Sequence, residues 1–382
     1  MGQSPPSDQY SLLADAGLPF LQRTADFGTL HPLPRIYCPV STKLANPNDI
    51  LFSVRAPVGE LNIADREYGI GRGLCAIRCL HNLDQGFAWW TLHWARTQLA
   101  YQATGSTYEA VTSEDVSNLL IPFPNLDKQK AIANYLDHET VKIDKLISAK
   151  ERLLDLLTEK RQSLITHVIT CGLNPDVPMR DSGVEWIGNI PQHWEVEHLK
   201  YHIAKIEQGW WPQCDNFPAD EDEWGVLKVG AVNAWEFNPD ENKRLPTDLK
   251  PLTEYEIKPG DILISRANTT ELVGSAALVD QVRSKLILCD KLYRLKMHGN
   301  RLYPEYLVFY LRSIAGRFEF ERDATGASNS MQNISQEIVT NLWIPIPPVD
   351  EQNQIVDHIK TNVLKLDNLT VTVKRTIELL QE

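Results

Sequence analysis

A long amphipathic segment that occurs twice constrains this chain more than any other feature. Residues 121–172 open on Pro122 and Pro124, which a helix interior excludes. From Asp127 onward apolar residues return every three or four positions: Ile132, Leu136, Ile143, Leu146, Leu153, Leu157, Leu164 and Val168. Lys, Asp and Glu fill the other faces, so the pattern predicts one amphipathic helix with a narrow apolar stripe, the seam of a coiled coil. Roughly 40 residues at 1.5 Å each reach about 60 Å. Gly172 and Pro175 stop the helix. Residues 344–382 then repeat the segment without a gap. Ile121 falls on Ile344, Pro122 on Pro345, Asp127 on Asp350, Gln129 on Gln352, Ile132 on Ile355 and Leu157 on Leu380, at a constant offset (344 − 121 = 380 − 157 = 223).

Solenoid repeats run to roughly 20–50 residues, so this spacing marks a duplicated module: globular part, long helix, globular part, long helix. The duplication continues upstream of the helices. Asn48–Ser53 matches Gly260–Ser265, with Arg55 and Arg266 one step out of line, and Thr104-Gly105-Ser106 matches Thr325-Gly326-Ala327. The predicted fold is α/β, with globular regions at 1–120 and 173–343 and helical spacers at 121–172 and 344–382.

Charge bounds the partners. The chain carries 38 Lys and Arg against 50 Asp and Glu, a net charge of −12, so a large counterion-release contribution to DNA binding is not expected of the isolated chain. The acid concentrates in Asp215–Glu241. The stretch Lys258–Arg301 is locally basic, with Lys258, Arg266, Arg283, Lys285, Lys291, Arg294, Lys296 and Arg301, and is the candidate for a basic face. The six cysteines form no CxxC pair and are expected to be reduced core residues of a cytoplasmic protein. No run of eighteen apolar residues predicts a membrane span.

Along the chain, Ile50–Val54 and Cys75–Arg78 read as strands with glycine turns between them. Phe87–Gln102, with three tryptophans, reads first as a helix packed on a sheet and second as a base-stacking platform. In the second globular part Asp261–Arg266 and Leu286–Lys296 read as strands and Pro304–Arg317 as an amphipathic helix. The polar loop Gly326–Ser335 suits hydrogen bonding to base edges or phosphates, or equally capping of the next helix. Catalytic signatures do not stand out: there is no GxxxxGK[ST] loop, and Pro239–Lys243, which has the residue types of a nuclease cluster, is too compact to come from adjacent strands and reads as a turn.

The proline-flanked helix start with its DxQ, the exit VITCGL (168–173) and the following SGVEWIGNIPQHWEV (182–196), all set in a duplicated frame, resemble the specificity subunit of type I restriction–modification systems. The opening GQSPP, Ser53–Gly59 and Gly71–Arg78 are also similar to that family's first recognition domain. The resemblance covers essentially the whole chain. It implies two target recognition domains separated by two long helices packed as an antiparallel coiled coil, with double-stranded DNA as ligand. It further implies two modification (methyltransferase) subunits and the restriction (endonuclease/translocase) subunits as partners. The chain would be a non-catalytic specificity subunit without a cofactor, S-adenosylmethionine, ATP and Mg belonging to the partners. The helices would fix the spacing of a bipartite, asymmetric target. Candidate DNA-binding residues are Gln3, Ser4, Arg55 and Arg72 in the first domain and Gln208, Trp210, Lys228, Arg266, Asn268, Lys291 and Gln332 in the second. Two departures from the family pattern accompany this. Aligning Gly2 with Gly209 leaves no first-copy counterpart to Ile187–Gln208, and Glu382 is equivalent to Glu159, so a dozen or so residues of the second helix are expected to be lacking. The rival reading is a helical oligomerisation scaffold with heads that do not bind DNA.

Overall fold

A computed structural model describes residues 1–102, 110–328 and 331–381, which form two compact units, Met1–Ile147 and Ser148–Glu382. The Thr104–Ser106 block of the repeat lies outside the described residues.

The described residues of unit 1 carry seven strands: β1 (Leu18–Leu21), β2 (Ile36–Cys38), β3 (Leu44–Ala45), β4 (Ile50–Ser53), β5 (Leu61–Ile63), β6 (Tyr68–Ile70) and β7 (Leu74–Ile77). They make one sheet in the order β2-β1-β6-β3, in which β1 and β6 run parallel, and one in the order β5-β4-β7. Helix α1 (Gln85–Gln102) covers β4 through Ala88 and Leu92 against Ile50. The short α2 (Ser113–Ser117) follows and leads to α3 (Leu126–Cys171). Two of the three tryptophans of α1 pack, while Trp94 is exposed. Trp89 joins the core around Ile50, and Trp90 Nε1 donates to Asp137 Oδ1 of α3 at 2.8 Å.

Unit 2 opens with the hairpin β8 (Met179–Asp181) and β9 (Asn189–Pro191), then β10 (Glu195–His198) and β11 (Ile203–Gln208). Its two main sheets repeat the plan of unit 1. β12 (Gly225–Leu227) pairs antiparallel with β13 (Asn242–Arg244) and parallel with β17 (Leu286–Ile287), as β1 does with β2 and β6. β14 (Ile262–Ser265) lies between β16 (Ala276–Leu278) and β18 (Leu292–Met297), as β4 lies between β5 and β7. The registers agree residue by residue: Ser53 faces Leu74 and Ser265 faces Leu292. β11 adds a fourth strand beside β18, for which the described part of unit 1 holds no equivalent. A third small sheet joins β15 (Ala267–Asn268), β20 (Met331–Asn333) and β19 (Thr325–Ser328). Helices α4 (Pro304–Arg312) and α5 (Ile314–Asp323) precede β19, α6 (Gln336–Thr340) follows β20, then come β21 (Trp343–Ile346) and the long helix α7 (Val349–Gln381).

Three expected elements differ, the first being the polar loop Gly326–Ser335, which contributes to strands β19 and β20 before Ser335 caps α6. Leu286–Lys296 is not one strand: β17 and β18 belong to different sheets. Pro304–Arg317 is not one helix. Ser313 leaves the helical backbone and its Oγ accepts from Gly316 N at 3.2 Å, the N-cap of a second helix.

The duplicated residues do the same jobs in both copies. Asn48 and Gly260 both take the left-handed backbone (φ 69° and 87°) that begins the turn into β4 and β14. Asp49 and Asp261 follow, both buried. Each accepts a backbone N–H three residues upstream, and each receives a cation from the adjacent strand region, Arg78 for Asp49 and Lys296 for Asp261. The repeated glutamines are latches. Gln129, fully buried near the start of α3, donates to the carbonyls of Asn82 and Pro124 and accepts Asp84 N–H. Gln352 in α7 donates to Arg301 O and Pro347 O and accepts Tyr303 N–H. Each ties the loop before a head helix to the start of a long helix. Losing the amide strands three backbone groups, so Gln352→Leu is expected to cost roughly 2–3 kcal/mol. The measurement is faster amide exchange at Tyr303 and along the first turns of α4 and α7; unchanged protection there would refute the latch.

In unit 2 the long helices pack antiparallel. Ile165, Val168 and Ile169 of α3 share a core with Ile355, Val356, Ile359 and Val363 of α7, and farther from that end Arg161 Nη1 donates to Asp367 Oδ1 at 2.8 Å. The apolar stripe predicted for α3 is not one continuous buried seam. Ile132, Ile143 and Leu146 are exposed, and in unit 1 the buried positions are Gln129 and Ala133. Ala133 takes that place because its small side chain lets α3 approach Gly86 at the start of α1.

Candidate nucleic-acid interface

Each head bears a cleft on the edge where the parallel strand pair meets its N-terminal strap. In unit 1 the strap is anchored by Gly2 N–H to Leu74 O and Gln3 N–H to Ile70 O. A Cβ on Gly2 would collide with the carbonyls of Ile70 and Gly71, so glycine is required for that approach. In unit 2, Trp210 N–H donates to Leu288 O at 3.1 Å, and a Cβ on Gly209 would collide with the same carbonyl. Gly2 and Gly209 are thus true equivalents, which puts Ser4 and Trp211 at the same place.

The first cleft, about 1060 Å³, is lined by Ser4, Tyr10, Gln22, Arg23, Arg55 and Arg72 among others. All three arginines are exposed, and among the described residues no carboxylate lines the wall. Ser4 Oγ accepts Arg72 N–H at 3.1 Å and so fixes the loop that presents that guanidinium. The second cleft, about 660 Å³, is lined by Trp211, Gln213, Lys228, Lys243, Lys291 and Asp290 among others. Lys228 pairs with Glu241 at 2.8 Å and Lys243 Nζ donates to Asn216 Oδ1 at 3.1 Å. Both are half-exposed, so these partners can be exchanged for a ligand at small cost.

Of the residues singled out from sequence, Ser4, Arg55, Arg72, Lys228 and Lys291 line the two clefts. Gln3 does not; its Oε1 accepts from Thr42 Oγ1 at 3.3 Å. Trp210 packs partly buried on the small core of unit 2, and Gln208 sits in β11 opposite Tyr293. Arg266, Asn268 and Gln332 line neither cleft but lie on or beside the small β15-β20-β19 sheet, Arg266 adjoining the second cleft through Nη1, which donates to Asp290 O at 3.4 Å. There Asn268 Nδ2 donates to Asn233 Oδ1 at 2.8 Å and Gln332 Nε2 to Ser328 O at 2.9 Å. The basic stretch Lys258–Arg301 does not form a face. Arg294 and Lys296 are consumed by Asp261 and Glu207, Arg301 by Glu195 and Glu197, and Arg283 by backbone carbonyls. Pro239–Lys243 is a turn running into β13. Gln22, Arg23, Trp211 and Lys243 escaped the sequence reading. The duplication held the signal for two of them, because β1 and β12 align and place Gln22 at the position of Lys228, with Arg23 next to it.

The chain is thus a duplicated pair of α/β heads, each carrying a cleft lined by three cationic side chains and each followed by a long amphipathic helix. The family model of the type I restriction modification DNA specificity domain matches residues 40–155 and 226–379, more than half of the chain. The chain belongs to that family. Among curated relatives, the putative type I restriction enzyme MjaX specificity subunit of Methanocaldococcus jannaschii is 37% identical over 171 residues, 44% of this chain and 39% of that protein. The EcoEI specificity subunit of Escherichia coli is 35% identical over 172 residues, 45% of this chain and 29% of that protein. The match therefore spans well under half the length of these two relatives. The fold is shared with the HsdS subunit of Thermoanaerobacter tengcongensis (18% identity, TM-score 0.56, covering 95% of this chain and 88% of that one). It is also shared with a chain from a type I R–M system solved to study complex assembly and conformational transition (18% identity, TM-score 0.70, with the same coverage). Among the described residues no helix is long and apolar enough to cross a membrane.

Proposed function

We propose that this chain is the DNA-sequence-recognition subunit of a type I restriction–modification assembly, in which each head reads one half of a split, asymmetric duplex target. The observation that carries this reading is the pair of equivalent clefts. On a chain of net charge −12, three cations converge at the same topological position in both copies. Cations that neutralise phosphates position a protein on DNA, and base-edge contacts from groups such as arginine and glutamine specify sequence. The linings differ, with arginines and the half-buried Tyr10 in one head and lysines with the exposed Trp211 in the other, as two unlike half-sites require. A scaffold with inert heads gives the three exposed arginines gathered in the first cleft no use.

In this reading the chain supplies no reacting group. Adenine methylation belongs to two modification subunits that hold S-adenosylmethionine. Cleavage belongs to restriction subunits that use ATP and Mg, and the assembly works in the cytoplasm. The test is to exchange residues 173–343 for the equivalent region of a relative and to map methylated adenines in cells. One half of the methylated motif is expected to change while the other persists. If methylation does not depend on this gene, or both halves change together, the reading fails.

A further inference from the structure

The second head presents an exposed tryptophan where the first has a serine. Trp211 is 77% exposed, and it stands on the lip of the cleft with Lys228, Lys243 and Lys291 around it. A tryptophan left in water forgoes the burial that its large apolar surface favours, so its position calls for an explanation. The backbone beneath it is rigid. On one side Gly209 is wedged against the Leu288 carbonyl and Trp210 N–H is bonded there. On the other, Pro212 is buried, Asp215 N–H donates to Arg244 O at 3.1 Å and Arg244 N–H donates to Phe217 O at 3.0 Å. The indole is held out by a strap stapled at both ends. It is ringed by cations suited to phosphates, and Lys291 is exposed.

We propose that Trp211 is a stacking wedge that inserts against a base of the second half-site and opens the step it touches, while the first half-site is read without such insertion. This rests on the DNA-recognition reading and adds a mechanism to one head only. Aromatic side chains stack on bases whatever their identity, and apolar wedges between base steps unstack and kink the duplex. The surrounding lysines supply phosphate anchoring on either side of the opened step. The equivalent Ser4 in the first head is engaged with Arg72 N–H and has no surface to stack. The two halves of the target would therefore be read differently: the first by arginine forks, the second partly through the ease with which its sequence is deformed.

The experiment uses the full chain with its methyltransferase subunit and duplexes carrying the motif it methylates. 2-Aminopurine replaces one base at a time, first in one half-site and then in the other. Apart from the adenine that each half-site presents for methylation, which the methyltransferase itself takes out of the stack, the fluorescence of 2-aminopurine is expected to rise on binding at one step of the second half-site only. Trp211→Ala and Trp211→Leu should abolish that rise and weaken binding by about 10- to 100-fold, whereas Trp211→Phe should keep the signal and stay within about threefold of the parent. Because the side chain is exposed, the melting temperature of all three variants should match the parent. Parent-like affinity and fluorescence in both Trp211→Ala and Trp211→Leu would overturn the wedge, as would a parent protein that gives no rise in the second half-site beyond the adenine it methylates. Failure of the recognition reading looks different: the parent itself would show no preference for the motif over unrelated DNA.

Discussion

Replacing Arg23, Arg55 and Arg72 together with alanine is expected to weaken specific DNA binding by about 1000-fold while leaving the fold intact. Each guanidinium that makes a bidentate contact to a base edge or a phosphate is worth roughly 1–3 kcal/mol, and three losses near the low end of that range multiply to this figure at about 1.4 kcal/mol per tenfold. The side chains are exposed, so removing them leaves no cavity. Single variants separate the roles. Removing a phosphate anchor should flatten the slope of log K against log salt by about 0.9 without changing sequence preference, whereas removing a base reader should relax the preference at one position. The corresponding lysine variants in the second head should do less, because Lys228 and Lys243 already have partners in the free protein. Titrations at three salt concentrations decide the matter, and a triple variant that binds like the parent removes the first cleft from the interface.

The second large effect is expected inside unit 2. Arg312, at the end of α4, is 8% exposed and points at three carbonyls: Ala276 O at 2.5 Å, Val232 O at 2.5 Å and Ala234 O. Its guanidinium also lies 5.0 Å from the Trp235 ring, which Arg161 of α3 approaches at 4.7 Å. Burial lowers its pKa to about 10, so at neutral pH it keeps its charge, and among the described residues no carboxylate pairs with it. That arrangement makes it the pin that joins the helical layer to β16 and to the loop following β12. Truncation to alanine leaves the carbonyls without donors at about 1–3 kcal/mol each, partly relieved by entering water. The expected cost is roughly 4 kcal/mol or more. Urea unfolding resolved by amide exchange over 226–232 and 276–278 measures it. Arg312→Lys, which keeps one charge but cannot reach all three oxygens, should fall between. A truncation cost below about 1 kcal/mol would show that water replaces the guanidinium easily.

The glutamine latch explains why Gln129 and Gln352 stand out in the sequence as a pair at the constant offset of the repeat. An amide fixed by three backbone groups tolerates no drift, so the same residue persists at the same place in both copies. Sequence alone determined the duplicated plan, the order of heads and helices, the equivalence of Gly2 with Gly209 and the family, because spacing and local backbone demands are written in consecutive residues. It also led to Ser4, Arg55, Arg72, Lys228 and Lys291, which align across the repeat or sit at turn edges. The tertiary structure decided what depends on neighbours far apart in the chain. Lys296 and Arg294 are paired with Asp261 and Glu207 from other strands, so the basic stretch is not a surface. α3 buries Ala133 rather than Ile132 because Gly86 permits a close approach. Of the two adjacent tryptophans, Trp210 turns inward against the Cys289 strand and Trp211 outward. Adjacent residues in an extended strap face opposite ways, and only the strand that the strap lies on determines which of them meets water.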